Sequence, residues 1–305
     1  MEDHPTTFFV LFASTAPRHD GGDFRPRREP LIRCIRYIRC IRWAGVDTHI
    51  DVAREGQHVS VQQYDEIGEA FEGFKSLPLV RYGEVPSFLG MVGDVRGRSV
   101  LDVACGTGFY SREFKRRGAA DVFGVDISVE MIAAAREFER RAPLGVRYEV
   151  GDVGELQSVE RRFDVAVGVQ CLNYAADQAE LQRMCANIHR SLVPGGEFFV
   201  FAQKPDYAFD CPSLDKYGFR CEPTGEETEM GPRVRVTALL EAGPISIVAT
   251  APRREVYEEC LRASGFSAVE WVPLEVSEAG IREFGEEFWA DALAHPPLEM
   301  LRCRA

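Results

Sequence analysis

Two glycines one residue apart, Gly106 and Gly108, end the run Val100-Leu101-Asp102-Val103-Ala104-Cys105, and Phe109-Tyr110 follow at once. Glycine lets a backbone approach a bulky ligand, and a helix starting here offers free N–H groups to a carboxylate. A dinucleotide loop needs G-x-G-x-x-G, yet Ser111 stands where the third glycine should be, and Asp102 is foreign to that pattern. Asp126 follows the next apolar run, Val122–Val125, and lies twenty residues beyond Gly106, the spacing at which an acid accepts hydrogen bonds from ribose hydroxyls. Asp152 follows a third run, Val146–Val150, where a carboxylate can accept from the amine of adenine. One acid for ribose, one for adenine and no phosphate loop describe a nucleoside with a zwitterionic tail and no pyrophosphate.

These turns need a sheet beneath them. Expected strands at Ser99–Ala104, Val122–Val125, Val146–Val150, Phe163–Val169 and Glu197–Ala202 alternate with expected helices at Tyr110–Arg117, Ser128–Arg140 and Asp177–Leu192. Short apolar strands separated by helices predict an α/β, doubly wound, Rossmann-like parallel sheet, whose ligands bind at the strands' carboxyl ends. Two helices, Val61–Glu72 and Tyr82–Val92, are expected before the first strand. After the last of the five, Lys204–Gly231 reads as irregular, and Arg233–Leu240 with Ile245–Thr250 as an inserted β-hairpin, so 204–250 is expected to cap the substrate. Helix Arg253–Ser264, strand Val269–Leu274, helix Ser277–Leu293 and strand Leu298–Cys303 complete the pattern.

Four stretches resemble, in order and spacing, the successive signatures of class I S-adenosylmethionine-dependent methyltransferases: Val100–Tyr110, Gly124-Val125-Asp126-Ile127-Ser128, Gly151-Asp152-Val153 and Leu192-Val193-Pro194-Gly195-Gly196-Glu197. The resemblance covers residues 62–303. It implies a seven-stranded sheet with an antiparallel last strand, supplied by Leu298–Cys303, with S-adenosyl-L-methionine as methyl donor and no metal. It also implies cofactor contacts from Asp102, Ala104, Gly106, Gly108 and Gln170, a ribose contact from Asp126, adenine packing by Ile127 and Met131, and an adenine edge at Asp152 and Val153. Gln63-Tyr64-Asp65-Glu66-Ile67, Arg81-Tyr82-Gly83-Glu84, Gly106–Tyr110 and Leu172-Asn173-Tyr174-Ala175 look more narrowly like toxoflavin-pathway N-methyltransferases of bacterial secondary metabolism.

That narrower likeness implies methyl transfer to a nitrogen of a small, azapteridine-like heterocycle. Asn173 and Tyr174 would orient the ring and Tyr64 would close over the site, with Lys75, Arg81 and Tyr217 as candidate substrate contacts. Two alternatives stand beside it: C-methylation of indole C3 in a tryptophan-derived natural product, and a nucleoside-binding regulatory protein without turnover. Cys105 reads as a packing residue, and His189 and His295 as structural, so no histidine base is expected.

Charge and composition restrict the partners. The 305 residues carry 48 acidic and 36 basic side chains, a net charge of −12, which disfavours a nucleic-acid or anionic membrane partner. Residues 1–58 hold nine arginines against eight carboxylates and four Ile-Arg triplets starting at Ile32, Ile35, Ile38 and Ile41, so they read as a low-complexity leader ahead of a methyltransferase domain at 59–305. No apolar run is long enough for a membrane helix and no secretory signal opens the chain, so a cytoplasmic protein is expected. Nine cysteines without a C-x-x-C pair fit reduced thiols better than disulfides or zinc. The oligomeric state has no sequence signal.

Overall fold

A computed structural model describes residues 68–156, 162–241 and 243–305 of the chain. The expected leader, and Tyr64 with the start of the first expected helix, lie outside these described residues. From Gly68 the backbone forms a 3-10 helix, Gly68–Ser76, then a π turn, Val80–Glu84, that runs directly into α1, Val85–Val92.

The apolar runs pair as one sheet. Its strands are β1 (Ser99–Val103), β2 (Asp121–Asp126), β3 (Arg147–Val150), β4 (Phe163–Val169), β5 (Leu192–Gln203), β9 (Ala268–Val272) and β10 (Leu298–Arg304), ordered β3-β2-β1-β4-β5-β10-β9. The first five are parallel, while β10 lies antiparallel between β5 and β9. Val100, Leu101 and Val103 on β1 are fully buried, as a central strand covered on both faces requires. One face carries Phe88, Phe114 and Ile132, and the other Leu181, Ile188 and Tyr257.

Helices fill the crossovers, each started by local chemistry. These are α2 (Phe109–Arg116), α3 (Val129–Arg141), α4 (Gln178–Arg190) and α5 (Arg254–Ala263). Ser128 caps α3 by accepting from the Met131 amide at 3.2 Å, and Asp177 caps α4 by accepting from Glu180 at 2.7 Å.

Two expectations change. The stretch read as irregular contains a strand, β6 (Phe219–Glu227), so the insertion is a three-stranded antiparallel sheet in the order β6-β7-β8, with β7 at Pro232–Leu240 and β8 at Gly243–Thr250. Pro223, Gly225 and three glutamates hide it in the sequence, and an edge strand paired only with β7 tolerates them. The helix expected over Ser277–Leu293 breaks at Gly285, whose φ of 83° interrupts it into α6 (Glu278–Phe284) and α7 (Glu286–Ala294). The Trp289 indole donates to the Gly280 carbonyl at 3.0 Å and ties the two halves together.

Candidate functional site

The carboxyl ends of β1 and β4 turn sharply. Ala104 and Gln170 follow these neighbouring strands with φ of 55° and 53°, a left-handed conformation that costs a non-glycine residue roughly 1–2 kcal/mol. Backbone bonds hold both turns: Cys105 N–H donates to Val125 at 3.0 Å, and Gln170 N–H to Phe201 at 2.7 Å. Strain of this kind gathers where a chain must present itself to a ligand.

Asp126 joins the glycine loop to the end of β2. Its Oδ2 accepts from Gly106 N–H at 2.8 Å and its Oδ1 from Ser128 N–H at 2.9 Å. Gly108 has a packing reason to be glycine beside the one its motif suggests. Its φ is 79°, and a side chain there would come within 2.6 Å of Tyr148 Cζ on β3. The same ring lies against Gly124, where a Cβ would sit 2.7 Å from Tyr148 Cδ1. Both glycines therefore admit a core tyrosine beneath the loop.

Asp102 lies behind that loop, 2% exposed, and accepts from the Ser111 hydroxyl at 2.5 Å. Burial, with a smaller push from Asp126, raises its carboxyl to about 7 despite the hydrogen bonds from Ser111. Burial also drives the Cys105 thiol well above its ordinary value, which keeps it protonated and poorly nucleophilic at neutral pH.

The residues preceding β1 grip the loop through side chains that local motifs do not reveal. Glu72 accepts from Thr107 Oγ1 at 2.5 Å and pairs with Arg112 Nη2 at 3.1 Å, while Arg112 Nη1 donates to the Thr107 carbonyl at 2.5 Å. Lys75 pairs with buried Glu84 at 3.0 Å and lies over the rings of Phe109 and Tyr110, and the Tyr110 hydroxyl donates to Glu84 at 2.8 Å. Lys75 is thus committed to an internal carboxylate. A glutamate 35 residues from its threonine partner leaves no short-range signature.

Beyond the loop, Ile127 and Val150 are 46% and 45% exposed at the ends of β2 and β3, beside Asp126 and Asp152. Met131 and Val153, expected against adenine, are instead buried, because Met131 lies on the inner face of α3 and Val153 joins the core beneath α4. Asp152 Oδ1 accepts from Gly154 N–H at 2.7 Å and caps a short 3-10 turn. After β4, Asn173 is 2% exposed and its Oδ1 has no hydrogen-bond partner among the described residues, while Tyr174 beside it is half-buried. Arg81 is exposed and lies over the Tyr82 ring. Tyr217 departs from its expected place: it is fully buried, its hydroxyl donates to the Phe288 carbonyl at 2.6 Å and accepts from Ala292 N–H at 3.1 Å, and its ring stacks on Trp289. It builds the core beside α7. Among the described residues, no cluster of three or more histidine, cysteine, aspartate or glutamate side chains could hold a metal ion, and no helix is long and apolar enough to cross a membrane.

Comparison with known proteins agrees with this architecture. Residues 100–196 match the methyltransferase-domain family. A ubiquinone biosynthesis O-methyltransferase of Coxiella burnetii is 33% identical over 105 residues, 34% of this chain and 43% of that protein. A demethylmenaquinone methyltransferase of Tropheryma whipplei is 30% identical over 168 residues, 51% of this chain and 64% of that protein. The chain thus spans less than two thirds of either relative. The crystal structure of an S-adenosylmethionine-dependent methyltransferase from Mesorhizobium loti superimposes with a TM-score of 0.54 at 23% identity, over 76% of this chain and 100% of that one. The described chain therefore carries the α/β, Rossmann-like fold of class I S-adenosylmethionine-dependent methyltransferases, with a methyltransferase-domain match at its centre.

Proposed function

We propose that the protein binds S-adenosylmethionine at the carboxyl ends of β1–β4 and methylates a nitrogen of a small, flat heterocycle. The observation that carries the reading is the pairing of acids with exposed apolar side chains, Asp126 with Ile127 and Val150 with Asp152, at the ends of adjacent strands. Aliphatic surface suits the face of a base, and carboxylates suit hydroxyls and an amine. A carboxylate offers about four acceptor positions, so holding Gly106 and Ser128 is compatible with receiving ribose as well. Asp126 and Asp152 also suit a ligand of net positive charge.

When bound, S-adenosylmethionine supplies a methyl group on a cationic sulfonium that is already activated for transfer. The protein's part is to align the acceptor and exclude water. Asn173 Oδ1, without a partner among the described residues, would accept from an N–H of the ring, with Tyr174 beside it, and Tyr64, outside the described residues, is kept as the candidate to close over the site. Lys75 contributes by fixing Glu84 and Tyr110 behind the loop, and Arg81 remains a candidate contact at the surface. The proton lost from nitrogen passes to solvent, which requires no histidine.

The names of the quinone-pathway relatives favour a second reading, a phenolic oxygen as acceptor in the same in-line geometry. Carbon methylation would in addition need a positioned group to take the ring proton. One experiment separates these. The full chain is incubated with methyl-labelled S-adenosylmethionine and a panel of azapteridines, phenols, indoles and tryptophan diketopiperazines, and the label is located by mass spectrometry and NMR. Label on a ring nitrogen is expected. Label on oxygen or carbon replaces the first reading, and tight donor binding with no product across the panel points to a nucleoside-binding protein without turnover.

A further inference from the structure

Six of the described arginines are buried or half-buried. Four of them, Arg98, Arg112, Arg253 and Arg254, each pair with a glutamate at 2.8–3.4 Å. The other two, Arg233 and Arg235, have no ion pair and no side-chain hydrogen bond among the described residues, and Arg233 Nε is shut away from solvent with nothing to donate to. A guanidinium keeps its charge at any physiological pH and presents five N–H donors, so a sheltered one without an acceptor costs the fold stability. Interiors rarely leave such groups unanswered.

The two arginines stand two residues apart on β7, the middle strand of the cap sheet, so they share one face with their Cα atoms about 7 Å apart. Ala238, on the opposite face, packs with Phe74, Leu77 and Val80. The arginine face is therefore turned away from that apolar contact. Thr237 continues it, its hydroxyl 2.8 Å from that of Ser246 on β8, and the register sets buried Thr250 beside Arg233. Glu222 on β6 is in register with Arg235, yet it is exposed and makes no ion pair with it.

Two fixed positive charges this close repel each other unless an anion lies between them. In a chain of net charge −12 whose other sheltered arginines are each neutralised by a glutamate, the pair is an exception. The planar fork of a guanidinium matches two oxygens of an oxyanion, and two forks on one strand face can share a single tetrahedral group. A phosphate monoester brings about 1.5–2 negative charges at pH 7, close to what the pair requires, whereas a carboxylate brings one.

We infer that Arg233 and Arg235 form a binding site for a phosphate group on this face of the cap sheet, with both guanidiniums donating to its oxygens. The site stands apart from the methyl-transfer reading, because its occupancy is measurable without donor, acceptor or turnover.

The test uses the full chain, with inorganic phosphate and phenyl phosphate as probes and acetate and chloride at matched ionic strength as comparators. Modification of arginines by phenylglyoxal is followed by peptide mass spectrometry, and binding by calorimetric titration. Either phosphate at saturation should slow modification of Arg233 and Arg235 at least fivefold and leave Arg183 and Arg304, which are exposed and carry no ion pair, unchanged. Acetate and chloride should protect none of them. Arg233→Gln and Arg235→Gln should each weaken phosphate binding at least fivefold, and neither should lower the thermal midpoint in phosphate-free buffer, since no internal partner is lost. Phenyl phosphate binding tenfold tighter than inorganic phosphate would assign the site to an organic phosphomonoester, and equal affinity to the free ion; both results keep the site. Equal protection by acetate or chloride, equal slowing at Arg183 and Arg304, wild-type phosphate affinity in both variants, or a lowered phosphate-free midpoint would each overturn the inference.

Discussion

Two regions of the molecule are wired differently. At the glycine loop, carboxylates meet backbone amides, a guanidinium and hydroxyls: Asp126 on Gly106 and Ser128, Glu72 on Thr107 and Arg112, Asp102 on Ser111. Under the cap, the Gln203 amide and the Tyr207 phenol meet the thiols of Cys221 and Cys211. Charge-assisted bonds are short and strong, whereas sulfur partners exchange at little cost. The difference teaches that the fold concentrates its charged hydrogen bonding at the glycine loop and leaves weaker, sulfur-partnered bonds beyond β5.

The largest expected effect that would sharpen this contrast concerns pH. Asp102 rises from an ordinary 3.8 to about 7 in the fold, so the folded state favours its protonated form. Its contribution to stability is complete below pH 4, declines as pH rises to 7, and is constant above. The whole change is at most about 4 kcal/mol. Asp102→Asn keeps an acceptor for Ser111 and cannot ionise, so the variant should gain on the wild type by up to that amount between pH 4 and 8 in urea titrations. Parallel curves would remove Asp102 as the source. The neutral thiol at Cys221 gives the cap no matching slope in that range.

Next comes the backbone. Gly108→Ala must hold a left-handed φ and push aside Tyr148, and should cost about 3 kcal/mol. Gly195→Ala has a similar φ of 76° with nothing within 4 Å, so it should cost only about 1 kcal/mol. Equal losses in chemical denaturation would show that Tyr148 does not constrain the loop.

How much of this was legible in the sequence follows from where the information lies. The strands, the loop at Gly106–Gly108 and the acids at Asp126 and Asp152 were readable because turn chemistry is local. Glu72 and Glu84 were not, since their partners Thr107, Arg112, Lys75 and Tyr110 come together only through the fold. Lys75 looked like a lone charge facing a substrate until Glu84 appeared beside it. Tyr217 carried the right functional group, but the break at Gly285 precedes α7, whose Phe288 carbonyl and Ala292 amide take up its hydroxyl. Gly108 was read for a ligand and is also required by Tyr148, an aromatic that a strand pattern marks only as core. Strand β6 escaped because an edge strand need not be apolar.

The account turns on the nucleoside end, and calorimetric titration of S-adenosylmethionine into the wild type and Asp126→Ala tests it most directly. The wild type should bind, and the variant should bind at least tenfold more weakly while staying folded, because charge-assisted hydrogen bonds to ribose are worth about 1.5–3 kcal/mol. No binding to the wild type, or the same affinity in both, would contradict it.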